Sequence, residues 1–544
     1  MAARDEELTS LARLTDVADL LTLAAQENPD KLAVVEAGGR SITWAELDDE
    51  VSRLAHGLGT AGIVAGHRVM IVMGNRLEFI SSYLGILRAQ AVAVPVNPTA
   101  TAGELARMIA DSGSRIVIAD ADAISEVRAA VDVLDEAMSA PHAPGSIEED
   151  LWARVTKPRL FVVGATLRPD ERSYDHLRAD HGPAIPPLRD PEKLAALLYT
   201  SGTSGRPRAA MLTHRALLAN IDQVAAVEPP MIHGDDVVLA VLPLFHVYGL
   251  NAVLGVVLRH RAKLVLASRF DPQGTLDLIE DEACSVIPVA PPVFAYWREV
   301  DQLRERLGPV RLMLSGSAPL AREQIEEFVA ATGIPIHQGY GLTEASPVVT
   351  STLVSAELQN GSVGAALPGV EVRLVDETGR PPEGEDPGEI SIRGANLFSG
   401  YWPDGADGPD AEGWWSTGDV GFLDPSGDLF LVDRLKELVI VSGFNVYPVE
   451  VEDVIREVDG VSEAAVIGVD DEETGEAVVA YVVASGDPQA VEAAVREHCV
   501  ERLARFKQPS RIEIVSELPV GVTGKVQKGR LRGIERRRAL GLLE

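Results

Sequence analysis

Four hydroxyl side chains, Thr200, Ser201, Thr203 and Ser204, are interleaved with Gly202 and Gly205 directly behind the apolar run LAALLY, and Arg206 and Arg208 follow. After a strand, glycines allow the chain to turn tightly while backbone N–H groups and Ser/Thr hydroxyls converge on an anion. A cation at the exit adds charge to such a cradle. The spacing G-x-x-x-x-G-K-[ST] of a Walker A loop is absent. A polar surface loop is the other reading of this composition.

The surrounding pattern says what holds such a loop. Apolar, β-branched runs alternate with helical stretches: HRVMIVMG, EFISSYLGILRAQ, VAVPVN, TAGELARMIADSG and RIVIAD. That rhythm predicts an α/β fold, with sheets flanked by helices. The stretch VVLAVLPLFHVYGLNAVLGVVL carries no formal charge and is long enough to cross a bilayer. Pro243, His246, Tyr248, Gly249 and Asn251 interrupt it, so it predicts a buried strand, a loop and then a helix from Asn251. Segments 139–150, 381–389 and 403–413 are rich in turn residues and predict surface loops. A domain break is expected near Asp433 to Lys436. Beyond it, PVEVEDVIREV and PQAVEAAVREHCVERLARF predict helices, and VSEAAVIGV and EAVVAYVVAS predict strands of a small α+β domain.

The whole chain narrows the function classes. Its 544 residues, 46% of them apolar, supply core for more than one domain. With 49 Lys+Arg against 82 Asp+Glu, the net charge of −33 disfavours nucleic acid and anionic membrane as partners. Cys284 and Cys499 are the only cysteines and lie far apart, which fits neither a disulfide framework nor a zinc site and suits a reducing cytoplasm. The charged opening MAARDEELTSLARLTD lacks the apolar core of a signal peptide.

Five motifs occur in a fixed order: YTSGTSGRP, QGYGLTE at 338–344, STGD at 416–419, DRLKELVIVSGFNVYPVEVE from Asp433, and TGK at 523–525. Together they resemble the acyl-adenylate-forming superfamily, which includes acyl-CoA synthetases, 4-coumarate:CoA ligases, luciferases and peptide-synthetase adenylation domains. The resemblance implies a large AMP-binding domain over 1–433, a hinge over 434–440 centred on Lys436, and a small mobile domain over 441–544. It also implies a two-step reaction. A carboxylate is a poor acyl donor, so attack on the α-phosphate of ATP makes an acyl-adenylate, and the thiol of coenzyme A then displaces AMP. Small-molecule acid, ATP, Mg²⁺ and coenzyme A are the implied partners.

By the same resemblance, Thr200, Ser201, Gly202, Thr203, Ser204 and Gly205 hold the outer phosphates, with Arg208 where most relatives carry lysine. Thr343 contacts the α-phosphate and Glu344 binds Mg²⁺, a cation that takes hard oxygen ligands. Gly316, Ser317, Gln338, Gly339 and Tyr340 line the nucleotide site, Tyr340 stacking on adenine, while Asp419 binds the ribose and Arg434 the same sugar or the phosphate. His246, Tyr248 and Gly249 face the acyl pocket with Gly316 and Gly339, and Lys525 contacts both carboxylate and α-phosphate. Arg269, Ser442 and Gly443 are the coenzyme A candidates, Gly443 leaving room for pantetheine.

Read without the motifs, several of these residues have plainer roles: His246 as a buried core histidine, Glu344 at a helix start, Lys525 as one more cation of a basic tail. Plant coumarate ligases usually carry lysine where Ile440 and Ser442 stand, and the stretch LVIVSGFNVYPVEVE is more similar to bacterial fatty-acyl-CoA ligases, which favours an aliphatic acid. Two alternatives accompany this reading. One is a fatty-acyl-AMP ligase that delivers the adenylate to a carrier-protein thiol, and the other is a non-catalytic nucleotide-binding relative.

Overall fold

The computed structural model describes residues 14–539 apart from 140–150, 152–153, 201–206, 299, 319, 321, 360, 377–378, 383–386, 435–436, 438, 442–443, 472–473, 504 and 521–524. The runs read as strands and helices form them in the expected order. Arg68–Val72, Leu77–Arg88, Val92–Val96, Ala102–Ser112 and Ile116–Asp120 alternate strand and helix. Thr101 caps the helix after it by accepting from the Glu104 N–H, with Glu104 reaching back to the Thr101 N–H, and Gly113 ends the helix at φ +60°.

These strands belong to a seven-stranded sheet with the order Arg172–Ser173, Arg159–Val163, Ile116–Asp120, Arg68–Val72, Val92–Val96, Leu194–Thr200, Arg208–Thr213. All neighbours are parallel except the last pair, an antiparallel hairpin in which Thr200 stands opposite Arg208. The candidate phosphate loop connects those two strands, and Ser201, Gly202, Thr203, Ser204 and Gly205 lie outside the described residues.

A second sheet of nine strands is parallel through its middle, from Ile336–Gly341 across Leu312–Ser315, Val286–Val289, Val237–Ala240 and Lys263–Leu266 to Leu32–Glu36. Antiparallel strands close both of its edges. One continuous core joins the two sheets through Leu47, Phe79, Tyr83, Ile221 and Val238. The helix Leu77–Arg88 is buried on nearly every side because it lies in this core.

The charge-free stretch resolves into the strand Val237–Ala240, a π-helix over Tyr248–Gly255 and an α-helix over Val256–His260. The helix therefore starts three residues before Asn251, with wider turns than an α-helix, a form often found at functional sites. No helix among the described residues is long and apolar enough to cross a membrane.

Between the sheets and the C-terminal unit stands an antiparallel sheet of Val370–Val375, Gly388–Gly394, Trp414–Leu423 and Leu429–Arg434. The next sheet starts at Val439–Val441 and is built on Val461–Asp471 and Gly475–Ala484, with Arg511–Val515 parallel to the latter. Helices Pro448–Arg456 and Pro488–Arg502 bury Val451, Ile455, Val495 and Cys499 against that sheet. Both cysteines are buried and unpaired in a disulfide, and burial pushes Cys284 up to about 12 and Cys499 up to about 11, so neither is a ready nucleophile.

Candidate active site

The strand Ile336–Gly341 delivers Gln338, Gly339 and Tyr340, and a single 3₁₀ turn over Thr343–Ala345 follows it. Gln338 and Gly339 are fixed by the neighbouring antiparallel strand: the Gln338 N–H donates to Thr352 Oγ1 at 3.0 Å, and Gly339 stands opposite Ser351. Tyr340 is buried, and its hydroxyl donates to Asp419 Oδ2 at 2.6 Å. Asp419 lies in Trp414–Leu423 directly opposite Arg434, so the backbone register alone brings the two proposed ribose-binding residues side by side. One cluster therefore holds the residue proposed for adenine and both of those proposed for ribose.

Thr343 is half-buried, and Glu344 is buried at 7% exposure. The Tyr401 hydroxyl donates to Glu344 Oε1 at 2.6 Å, and the Phe398 N–H donates to the Glu344 carbonyl at 2.9 Å. Burial first, and then the Glu344 charge, push the Tyr401 phenol well above its ordinary range, so it remains a donor. The Arg208 guanidinium sits 3.8 Å from the Tyr401 ring centroid and donates to Asp407 Oδ2 at 2.7 Å. Arg208 was expected to supply charge to the phosphate loop. A ring and a carboxylate hold it at the loop's exit.

Tyr401 and Asp407 were not singled out from the sequence. They occupy SGYWPDGAD, a segment whose glycines, proline and aspartates announce only turns, and the contact to Glu344 spans 57 positions. The one available signal was an aromatic pair, Tyr401 and Trp402, inside an otherwise polar turn.

On the acyl side, Tyr248 opens the π-helix, and Gly249 packs so closely on the preceding loop that a Cβ there would lie 2.4 Å from the Pro243 carbonyl oxygen. Gly316 ends the strand Leu312–Ser315, and a Cβ on it would lie 2.7 Å from Tyr248 Cε1. Ser317 follows in the left-handed region at φ +75°. His246 Nε2 is buried and has no hydrogen-bond partner among the described residues. Burial first, and then the Lys525 charge, hold this imidazole down at about 4, so it is neutral near pH 7. The Lys525 charge, on an exposed side chain, acts on this half-buried histidine from 279 positions away in the sequence (525 − 246).

Arg269 is exposed and, among the described residues, makes no hydrogen bond or ion pair with this cluster. Of Arg434 only the backbone is described, and Lys436, Ser442 and Gly443 lie outside the described residues. No group of three or more His, Cys, Asp or Glu among the described residues could cage a metal ion.

With this geometry in view, similarity to known proteins is decisive. The AMP-binding enzyme family is matched over residues 21–402, and its C-terminal domain over residues 450–525. The chain belongs to the AMP-binding enzyme family. It is 31% identical to 4-coumarate–CoA ligase 5 of Oryza sativa subsp. japonica over 98% of each chain. It is also 31% identical to the long-chain-fatty-acid–CoA ligase of Bacillus subtilis (strain 168), over 94% of this chain and 93% of the relative. Both of these relatives are named as acid–CoA ligases, and identity does not separate the one from the other. Among solved structures, ATP-bound MatB from Rhodopseudomonas palustris is 33% identical with a TM-score of 0.83, covering 95% of this chain and 99% of MatB. Apo MatB, at the same coverage, gives 0.72.

Proposed function

We propose that the protein activates a carboxylic acid, of the fatty-acid class, as an acyl-adenylate and transfers the acyl group to coenzyme A, releasing pyrophosphate and then AMP. The observation that carries this reading is the pairing of motif residues with partners distant in sequence, the Tyr340 hydroxyl donating to Asp419 and the Tyr401 hydroxyl to Glu344, in a chain matched by the AMP-binding enzyme family over residues 21–402. A cation, for which Lys525 is the candidate, is what a carboxylate must meet before it can attack a phosphate.

In the first step one carboxylate oxygen attacks the ATP α-phosphorus, the α–β bridging bond breaks, and pyrophosphate leaves with that electron pair. Lys525 offsets the repulsion between carboxylate and phosphate as charge builds on the α-phosphate oxygens. Neutral His246 offers a ring nitrogen without adding positive charge beside Lys525. Thr343 donates a hydroxyl to the α-phosphate. Tyr340 and the Asp419–Arg434 pair orient base and ribose, lined by Gly316, Ser317, Gln338 and Gly339. Thr200 to Gly205 hold the outer phosphates.

The residues present fit Mg²⁺. Glu344 is a buried hard-oxygen donor, and the lack of an all-protein cage among the described residues suits a cation that shares its shell with phosphates and water. Bound there, it would supply neutralising charge to the phosphates. Glu344 would hold it, and the Tyr401 hydroxyl donates to Glu344.

For the second step the small domain turns about Lys436, withdrawing Lys525 and bringing Gly443 and Ser442 to coenzyme A, which Arg269 of the large domain also contacts. The thiol, as thiolate, then attacks the acyl carbon and AMP departs with the C–O electron pair. A cytoplasmic setting is consistent with two buried free thiols. The aliphatic reading is supported by the 438–452 motif and by the long-chain relative. The coumarate relatives favour an aromatic acid as the second reading.

A panel from acetate to palmitate together with 4-coumarate, each followed by AMP release with and without coenzyme A, tests both. A peak among the longer alkanoates with coenzyme A-dependent thioester supports the proposal. A peak at 4-coumarate moves the protein to the aromatic branch. AMP-ester accumulation unaffected by coenzyme A supports delivery to a carrier protein. Absence of acid-dependent ATP–pyrophosphate exchange supports a non-catalytic nucleotide binder.

A further inference from the structure

Glu344 is held through both its carbonyl and its carboxylate by one short segment, through Phe398 and Tyr401. That segment is itself fixed. The Met211 N–H donates to the Gly400 carbonyl at 3.1 Å, and the Trp402 N–H donates to the Ala209 carbonyl at 2.9 Å, so it is laced to the strand leaving the phosphate loop. The Tyr401 N–H donates to the Ala406 carbonyl at 2.9 Å, which closes a turn that Gly400 makes at φ +84°, where a Cβ would fall 2.0 Å from the Gly405 carbonyl oxygen. Around the Tyr401 ring, Phe398 presents its edge at 5.0 Å and Arg208 its guanidinium at 3.8 Å, the latter anchored by Asp407.

A hydrogen bond to one carboxylate oxygen stops rotation about the last side-chain bond, which matters for a group that must present an oxygen to a small cation of strict geometry. A planar guanidinium clamped on the ring fixes the phenol that makes that bond. We infer that Tyr401 is a positioning residue for adenylation. Its hydroxyl sets the Glu344 carboxylate, and Arg208, held on its ring by Asp407, ties that carboxylate to the exit of the phosphate loop so that both are placed as one unit. The inference rests on the role proposed above for Glu344.

The test substitutes Tyr401→Phe, which keeps the ring for Arg208 and Phe398 and removes only the hydroxyl. Mn²⁺ in the presence of ATP, without acid, reads affinity at the site by EPR of the free ion, and acid-dependent ATP–pyrophosphate exchange reads the step. The expected result is Mn²⁺–ATP binding weakened about tenfold, exchange kcat lowered by a similar factor at limiting Mg²⁺ and largely restored at saturating Mg²⁺. The KM for the acid and the thermal midpoint should hold at wild-type values. Glu344→Gln is run in parallel. If Glu344→Gln leaves Mn²⁺–ATP affinity and exchange at wild-type level, the role of Glu344 falls and this inference with it. If Glu344→Gln is impaired and Tyr401→Phe is not, only the positioning role is overturned. A Tyr401→Phe loss that excess Mg²⁺ does not restore and that comes with a lowered thermal midpoint marks plain packing and overturns it equally.

Discussion

Replacing Gly316 with alanine would place a Cβ 2.7 Å from Tyr248 Cε1, 3.1 Å from Cζ and 3.3 Å from Oη. Real Cβ atoms do not approach an aromatic carbon that closely, so the ring must shift by several tenths of an ångström. The ring opens the π-helix and packs against the core that joins the two sheets, so the shift strains its neighbours. Overpacking of this kind costs about 1–3 kcal/mol. If Tyr248 lines the acyl pocket, much of that cost falls on the acid, giving a loss of roughly 5- to 150-fold in kcat/KM for the acid and little change in the KM for ATP. Acid-dependent exchange across the alkanoate series measures it, and Tyr248→Leu in the Gly316→Ala background makes the space again. The two sites touch, so the double variant should recover about 1 kcal/mol or more relative to additivity. An unchanged acid KM in Gly316→Ala, or strict additivity with Tyr248→Leu, would refute the assignment of Gly316 and Tyr248 to the acyl pocket.

Arg208→Lys keeps the charge for Asp407 and loses the planar stack on Tyr401, so exchange kcat/KM for ATP should fall a few-fold, as expected for about 0.5–1 kcal/mol of lost cation–π contact; a variant equal to wild type would show that charge alone is used. A buried pair at the N-terminal edge predicts pH dependence: burial pushes Asp16 up to about 6 and His214 down to about 4, with His214 Nδ1 3.3 Å from Asp16 Oδ1. The Asp16 contribution to stability is present below about pH 4 and lost as pH rises through 6, and Asp19, also raised to about 6, acts in the same sense. The His214 contribution is present above pH 6.5 and lost as pH falls through 4. Asp16→Asn leaves the His214 slope less opposed, so its thermal midpoint should climb more steeply than that of wild type between pH 4 and 6.5, by up to about 3 kcal/mol in stability; parallel profiles would contradict the assignment.

Much of this protein was legible because its chemistry sits in contiguous motifs. The order of five short segments identified the family, and strand-to-helix alternation predicted the elements from Arg68–Val72 to Ile116–Asp120. The small domain was equally readable, since Pro448 and Pro488 open its helices and β-branched runs mark Val461–Asp471 and Gly475–Ala484. What stayed hidden depends on pairs distant in sequence. No local pattern announces that Tyr401 reaches Glu344, or that His214 meets Asp16 across 198 positions (214 − 16). The antiparallel sheet Val370–Arg434 was equally silent, because glycine- and proline-rich turns divide it, yet its register puts Asp419 opposite Arg434. The π-helix escaped because hydrophobic periodicity does not distinguish wide turns from α-helical ones in a stretch so uniformly apolar.

The central claim is that one face of the small domain serves adenylation and another serves thioester formation, and Lys525→Ala tests it most directly. Both half-reactions are measured on one preparation: acid-dependent ATP–pyrophosphate exchange, and conversion of a supplied acyl-adenylate and coenzyme A to thioester. Loss of a cation that meets the developing charge predicts a fall in the first by about 100-fold or more, with the second retained within a few-fold of wild type. Equal loss in both, or loss in neither, would contradict the account.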